Sequence, residues 1–178
     1  GFSYKLVDFI VDEMIVKPTS IFEPFAGCGT TLVAAQKKGI HSVGNESQQL
    51  MCDVINAKLN WDIERNTCLV YRSRISNYVL SNIASDDVFE CHDLLRTLYD
   101  KETLKTLYLI RNAIRMISDK KYELFFKLAL SQTLHKVALH PIAVPYIVRS
   151  KRLVNSGNAL GKFTIIIDIH YFFVYNNI

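Results

Sequence analysis

Gly27 and Gly29 stand between a short apolar run and the pair Thr30-Thr31. Glycines so placed let the backbone turn sharply and let a ligand approach with no Cβ in the way. A helix opening just after them points unpaired N–H groups at that ligand. Nineteen residues beyond Gly27 comes Glu46. An acid at that distance, past a second strand, suits the two hydroxyls of a ribose.

The same residues discriminate among nucleotide-like ligands. A phosphate-binding loop requires Lys after its last glycine, and Gly29 is followed by Thr30. A dinucleotide fingerprint requires a third small residue where Leu32 stands, and Leu32 spoils close helix packing over a pyrophosphate. Glu23, beside the loop, repels phosphate and suits an ammonium group. S-adenosylmethionine has ribose hydroxyls, a cationic amino acid end and no phosphate, so it fits best.

The elements that must position these residues follow from periodicity. Residues 4 to 16 predict a helix, with Leu6, Val7, Ile10, Val11 and Met14 at helical spacing, broken by Lys17-Pro18-Thr19. Ser20 to Phe25 predicts a buried strand. Thr30 to Lys38 predicts a helix capped by Thr30 or Thr31 and stopped by Gly39. Ile40 to Gly44 predicts a second strand, and 47 to 59 another helix. Strand, glycine turn, helix and strand form the opening βαβ unit of a doubly wound parallel sheet. Leu69 to Tyr71 fits a further strand. From Asp100 to Val137 the pattern is helical: Leu104, Leu107, Ile110, Ile114 and Ile117 form a stripe that Phe125, Leu128, Leu134 and Val137 continue past Asp119-Lys120-Lys121. Pro141 and Pro145 end that block. Thr164 to Tyr175, β-branched and aromatic, fits a strand or an aggregation-prone stretch. The chain is expected to be cut, or to leave its reading frame, near Lys162.

The chain has 178 residues, 49% of them apolar and 21% charged, which excludes a disordered tail or a coiled-coil rod. No apolar run reaches about 18 residues, so no membrane span is expected. No signal segment is visible. Cys28, Cys52, Cys68 and Cys91 are widely spaced, as in reduced intracellular proteins. Residues 1 to 100 carry a net charge of −4 and residues 101 to 162 a net charge of +9. A basic half beside an acidic half points to a polyanion partner, or simply to a solvated lysine-rich helical surface.

Glu23-Pro24-Phe25-Ala26-Gly27-Cys28-Gly29-Thr30-Thr31 resembles the Asp-Pro-Phe-Ala-Gly-Ser-Gly-Thr-Thr motif of the DNA amino-methyltransferases, the adenine-N6 and cytosine-N4 group. Glu23 stands for the usual Asp and Cys28 for the usual Ser. Upstream, Phe2-Ser3-Tyr4-Lys5-Leu6-Val7 is similar to the segment that precedes this motif, whose Phe-Ser side packs by the methionine end of the cofactor. Downstream, Val43-Gly44-Asn45-Glu46 matches the family's ribose-binding acid. Ser47 to Gln49 departs from the family, where an apolar residue, Asn and Pro are common. The resemblance covers residues 2 to about 59, a third of the chain.

The resemblance implies an incomplete doubly wound, Rossmann-like α/β methyltransferase sheet with a helical insert. Residues 1–100 would form the S-adenosylmethionine-binding part, 101–162 a basic insert, and 163–178 an aberrant or truncated tail. The implied cofactor residues are Phe2, Ser3, Glu23, Pro24, Phe25, Gly27, Gly29, Thr30, Thr31 and Glu46. The implied partners are DNA and a restriction endonuclease of the same system, in the cytoplasm. Arg149, Lys151 and Arg152, with Lys162 nearby, are candidate phosphate contacts, or else a solvated loop.

The family's Pro-Pro-aromatic motif, which handles the flipped base and its amine, is missing, because no two of the four prolines are adjacent. No Pro-Cys pair supports the C5-cytosine route either. The catalytic residues are therefore expected outside this chain. A non-catalytic cofactor- or DNA-binding relative and an RNA methyltransferase are the alternatives. Asp86, Asp87 and Asp93 are candidates for an acid near the adenine ring. Cys91-His92 lacks partners at metal-ligand spacing. His135 and His140 suit surface or core-edge positions, and Trp61 and Phe125 suit a core.

Overall fold

The first helix, α1 (Tyr4–Glu13), starts where the Ser3 hydroxyl oxygen accepts the Lys5 amide at 3.3 Å. It ends where the Lys17 ammonium donates to the Val11 and Asp12 carbonyls, at 3.1 and 2.5 Å, just before Pro18. Val7 and Val11, one turn apart, are its buried residues. Leu6, Ile10 and Met14, expected on the same apolar stripe, are exposed. The computed structural model describes residues 2–60, 62–85, 91–139, 142–143, 146–147 and 158–176, with backbone alone for 142–143, 146–147 and 169–176. The chain divides into two units, one built on residues 1–62 and one on Ile63–Phe173. The division between the two units falls after Asp62.

In the first unit, β1 (Ser20–Glu23), α2 (Thr30–Lys37) and β2 (His41–Gly44) follow α1. The two strands pair in parallel, Ser20 against His41 through Glu23 against Gly44. This is the expected βαβ unit. Ile21 and Ile40 pack with Val7, Val11 and Ala34 on one side of it. Phe22 and Val43, opposite one another in the register, are exposed. The C-terminus of α2 closes with paired bonds, Gly39 N–H to the Gln36 carbonyl at 3.1 Å and Ile40 N–H to the Ala35 carbonyl at 2.9 Å. That geometry satisfies the last carbonyls and turns the chain into β2. The Lys38 ammonium holds Asp12 at 2.7 Å and Asp8 at 3.8 Å, tying α2 to α1. α3 (Gln49–Leu59) completes the unit, with Ile55 and Leu59 packed on Ala26 and Leu32.

The second unit is helical. α4 (Arg65–Asn82), α5 (Asp93–Leu98), α6 (Lys101–Arg115) and α7 (Lys120–Val137) come first. A two-residue antiparallel pair, β3 (Ile142–Ala143) and β4 (Tyr146–Ile147), precedes α8 (Ala159–Asn176). One core joins Cys68, Ile75 and Val79 of α4, Ile110 and Ile114 of α6, Tyr122, Phe125 and Phe126 of α7, and Phe163, Ile166 and Ile167 of α8. Phe126 is the hub, with ring centroids 5.4 Å from Phe125, 6.3 Å from Phe163 and 6.4 Å from Tyr71. Leu104, Leu107, Ile110, Ile114 and Ile117 are all buried, as their stripe implies. Among the described residues no helix is long and apolar enough to cross a membrane.

The expectation of a doubly wound Rossmann-like sheet is overturned. Of the described residues 67% are helical, in eight helices, and the parallel sheet among them has two strands. The physical reason lies after α3. A doubly wound sheet needs strands alternating with helices, whereas α4 to α7 follow one another and bury their apolar faces in a common core. Leu69 to Tyr71 lies within α4, not in a strand. The run from Thr164 to Tyr175 is α8, not a strand, and Phe163, Ile166 and Ile167 bury it by helical spacing.

The break between the long helices is set by caps. Asp100 opens α6 by accepting both the Thr103 amide at 2.8 Å and the Thr103 hydroxyl at 2.9 Å. Asp119 opens α7 by accepting the Lys121 amide at 2.9 Å. Asp100→Ala is expected to cost about 1 kcal/mol or slightly more in urea unfolding, since it removes the side-chain acceptor of the first-turn Thr103 N–H. A cost below about 0.3 kcal/mol would assign the start of α6 to packing instead.

Candidate functional site

The loop after β1 is held at the carboxyl ends of the parallel strands by backbone bonds. The Asn45 amide donates to the Glu23 carbonyl and the Ala26 amide to the Asn45 carbonyl, both at 2.9 Å. The Gly29 amide donates to the Ala26 carbonyl at 2.8 Å. Gly27 and Gly29 lie at φ +53° and +79°, in the left-handed region that disfavours any side chain. A Cβ on Gly29 would meet Ile55 at 3.0 Å, whereas one on Gly27 would meet nothing within 4 Å. Gly29 is therefore also a packing glycine, and Gly27 faces open space. Gly29 itself, not Thr30 or Thr31, is the N-cap of α2, and no side chain caps that helix. At Gly44 a Cβ would fall 2.6 Å from Leu32 and 3.0 Å from Ala26, so the end of β2 is shaped to admit α2 and the loop.

Glu46 and Gly27 are brought together. One Glu46 carboxylate oxygen accepts the Gly27 amide at 2.9 Å, and the other accepts the Gln48 amide at 2.9 Å. Bonds from the Gln48 amide, then the Gly27 amide, then Ser47 hold this carboxyl below the usual glutamate range. Each carboxylate oxygen can accept a further hydrogen bond. The group is thus an ionised double acceptor beside an open loop, suited to a pair of adjacent hydroxyls.

Glu23 also faces the loop. One of its oxygens accepts the Thr31 hydroxyl at 2.8 Å and the other the Phe25 amide at 3.2 Å. Two carboxylates flanking a helix N-terminus disfavour phosphate and admit a cation. Pro24 presents its carbonyl to the Asn45 side-chain amide at 3.4 Å. Phe25 is 87% exposed. Thr30 places its hydroxyl 3.6 Å from the Cys28 sulfur.

Cys28 is exposed, and its thiol is lowered from the ordinary range by the Thr30 hydroxyl and by the Lys58 ammonium. Lys58 reaches back thirty residues to donate to the Cys28 carbonyl at 2.8 Å. Cys68, by contrast, is buried, and that burial pushes its thiol up to about 12. Alkylation by iodoacetamide is therefore expected at Cys28 from below the ordinary thiol pH range, with Cys68 unlabelled in the folded protein. Peptide mapping across a pH series checks this, and equal labelling of the two cysteines would contradict it.

The remaining expected residues stand apart from this cluster. Ser3 uses its hydroxyl as the cap of α1, and Phe2 is half-exposed beside it. Asp93 opens α5 in the second unit, where the preceding His92 accepts the Leu94 amide at 3.2 Å through Nδ1. His135 is exposed. Lys162 donates to the Lys136 carbonyl at 3.3 Å. Arg149, Lys151, Arg152, His140, Pro141, Pro145, Trp61, Asp86 and Asp87 lie outside the described residues.

Three contributors were not anticipated. Asn45 splices the loop to both strands, and its place between Gly44 and Glu46 was the available signal. Ile55 packs beneath Gly29, and Lys58 draws in the Cys28 carbonyl. Both lie on α3, where no local spacing marks them as partners of the loop. Comparison of the chain with protein-family models, with curated proteins and with solved structures finds no match.

Proposed function

We propose that this chain carries the S-adenosylmethionine-binding part of a DNA amino-methyltransferase, acting on adenine-N6 or cytosine-N4. The observation that carries the reading is the meeting of Glu46 with Gly27, nineteen residues away, at the carboxyl ends of a parallel strand pair. Ligands of open α/β units bind at such strand ends. The residues present fit the cofactor. Glu46 would accept the ribose hydroxyls. Gly27, with open space where a Cβ would stand, would admit the methionine portion. Glu23 would stay close to the amino group, and Thr31 holds that carboxylate in place. The bound cofactor supplies an electrophilic methyl group on a sulfonium.

The chain's own residues bind and orient; none is assigned to the transfer. The sequence carries no adjacent prolines and so no base-handling motif of the family's kind. A genome-marking role, with a restriction endonuclease in the same system, goes with the family resemblance. The net charge of +9 over residues 101–162 favours a polyanion over a small-molecule substrate.

Calorimetric titration tests the reading. S-adenosylmethionine and its demethylated product are expected to bind with one-site stoichiometry, and NAD is expected not to bind. Binding of NAD alone, or of neither ligand by a chain with native circular dichroism, would reject it.

A further inference from the structure

We infer that the cation-bearing face of α6 is a docking strip for the phosphate backbone of duplex DNA. The inference rests on the proposed function for the choice of DNA. The strip itself rests on charge and geometry in the second unit.

Lys101, Lys105, Arg111 and Arg115 recur at four-, six- and four-residue steps along α6. At about 100° per residue they fall within roughly a third of the helix circumference. Ile110, Ala113 and Ile114 are buried on the far side, while Leu104 is buried within the cation arc, so the exposed cations are Lys101 and Arg115, with Lys105 and Arg111 half-buried. The acid of α6, Glu102, lies about 100° around the helix from Lys101. From Lys101 to Arg115 the strip runs about 21 Å, the span of about six phosphates along one strand.

Among the described residues no carboxylate pairs with these cations. Elsewhere in the unit, Lys120 and Lys127 both pair with Glu123, and Arg72 pairs with Asp168. Among the described residues none of the four α6 cations has an ion pair. Lys105 donates to the Ser85 carbonyl, which leaves its charge intact. Arg111 stacks its guanidinium over the Tyr108 ring, 4.2 Å from the centroid. It spends one donor on the Asn112 side-chain oxygen at 3.3 Å, and its buried Nε has no acceptor. A strip of cations with unspent donors and no intervening acid complements an extended polyanion. Phosphate contacts of this kind fix position without reading sequence.

The test is fluorescence anisotropy of a short labelled DNA duplex against the full chain over a salt series. The double variant Lys101→Gln/Arg115→Gln removes two exposed cations and leaves the buried arc untouched. It is expected to weaken binding about tenfold at 0.1 M salt and to reduce the log–log salt slope by about 2. Lys120→Gln, which removes a cation already paired with Glu123, is expected to leave both readings unchanged. Wild-type affinity and slope retained by the double variant would overturn the proposal. So would an equal loss with Lys120→Gln, or tighter α6-dependent binding of duplex RNA than of duplex DNA. Calorimetry with S-adenosylmethionine on the same double variant separates the two readings. Loss of the salt slope with cofactor binding intact supports the strip. Absence of cofactor binding in every variant counts against the proposed function alone.

Discussion

Replacing Glu46 by alanine is expected to weaken S-adenosylmethionine binding by about a hundredfold in a chain that keeps its native circular dichroism. Two hydroxyls that bond to a charged acceptor lose both bonds at once, and bonds to charged acceptors are the strong ones. Glu46→Gln is not a conservative change here. Both carboxylate oxygens accept a backbone N–H, from Gly27 and from Gln48. A glutamine offers one oxygen and one donor group, so one of those amides would face another donor. Its affinity is expected between those of alanine and the wild type. The pH dependence has a definite sign. The Gln48 and Gly27 amides stabilise the ionised form, so the carboxyl protonates only below the usual glutamate range. Cofactor affinity should therefore hold as the pH falls through that range and drop only below it. Titration calorimetry of the variants across pH checks all three outcomes. Unchanged affinity in Glu46→Ala would remove the acid from the site.

The local chemistry of the first unit was legible because it is written in short-range signals. Gly27 and Gly29 need left-handed backbone, and Gly39 ends α2 in the same region. The run Ile40 to Gly44 had to form a strand to bring Glu46 back to the loop. The larger sheet was an extrapolation from that βαβ unit, and among the described residues from 63 to 139 the elements are helices alone. In α4, Cys68, Ile75 and Val79 are buried at helical spacing, yet Leu69-Val70-Tyr71 reads locally as a strand. Propensity over three residues is a weak guide when an eighteen-residue helix packs one face. In α8 the β-branched and aromatic run is apolar on every side, so no period stands out from the sequence. The core formed by α4, α6 and α7 supplies the missing information, burying Phe163, Ile166 and Ile167 by i, i+3 and i+4 steps.

Phe126→Ala is expected to destabilise the helical unit by about 3–5 kcal/mol. Small domains are stable by only about 5–15 kcal/mol, so this change consumes a large share of the total. Phe126 is fully buried and is the ring on which Tyr71, Phe125 and Phe163 converge from α4, α7 and α8. Truncation removes the apolar transfer term and leaves a cavity that three rigid rings close poorly. Phe126→Leu keeps most of the volume and is expected to cost about 1–1.5 kcal/mol. Urea unfolding followed by helical circular dichroism measures both. The difference between the two variants carries the argument, because Leu restores bulk without restoring the edge-to-face contact with Phe125. If Phe126→Ala costs no more than Phe126→Leu, the four helices are not keyed to this ring. The burial of α8 would then have to rest on its other buried residues, Ala159, Ile166 and Ile167 among them.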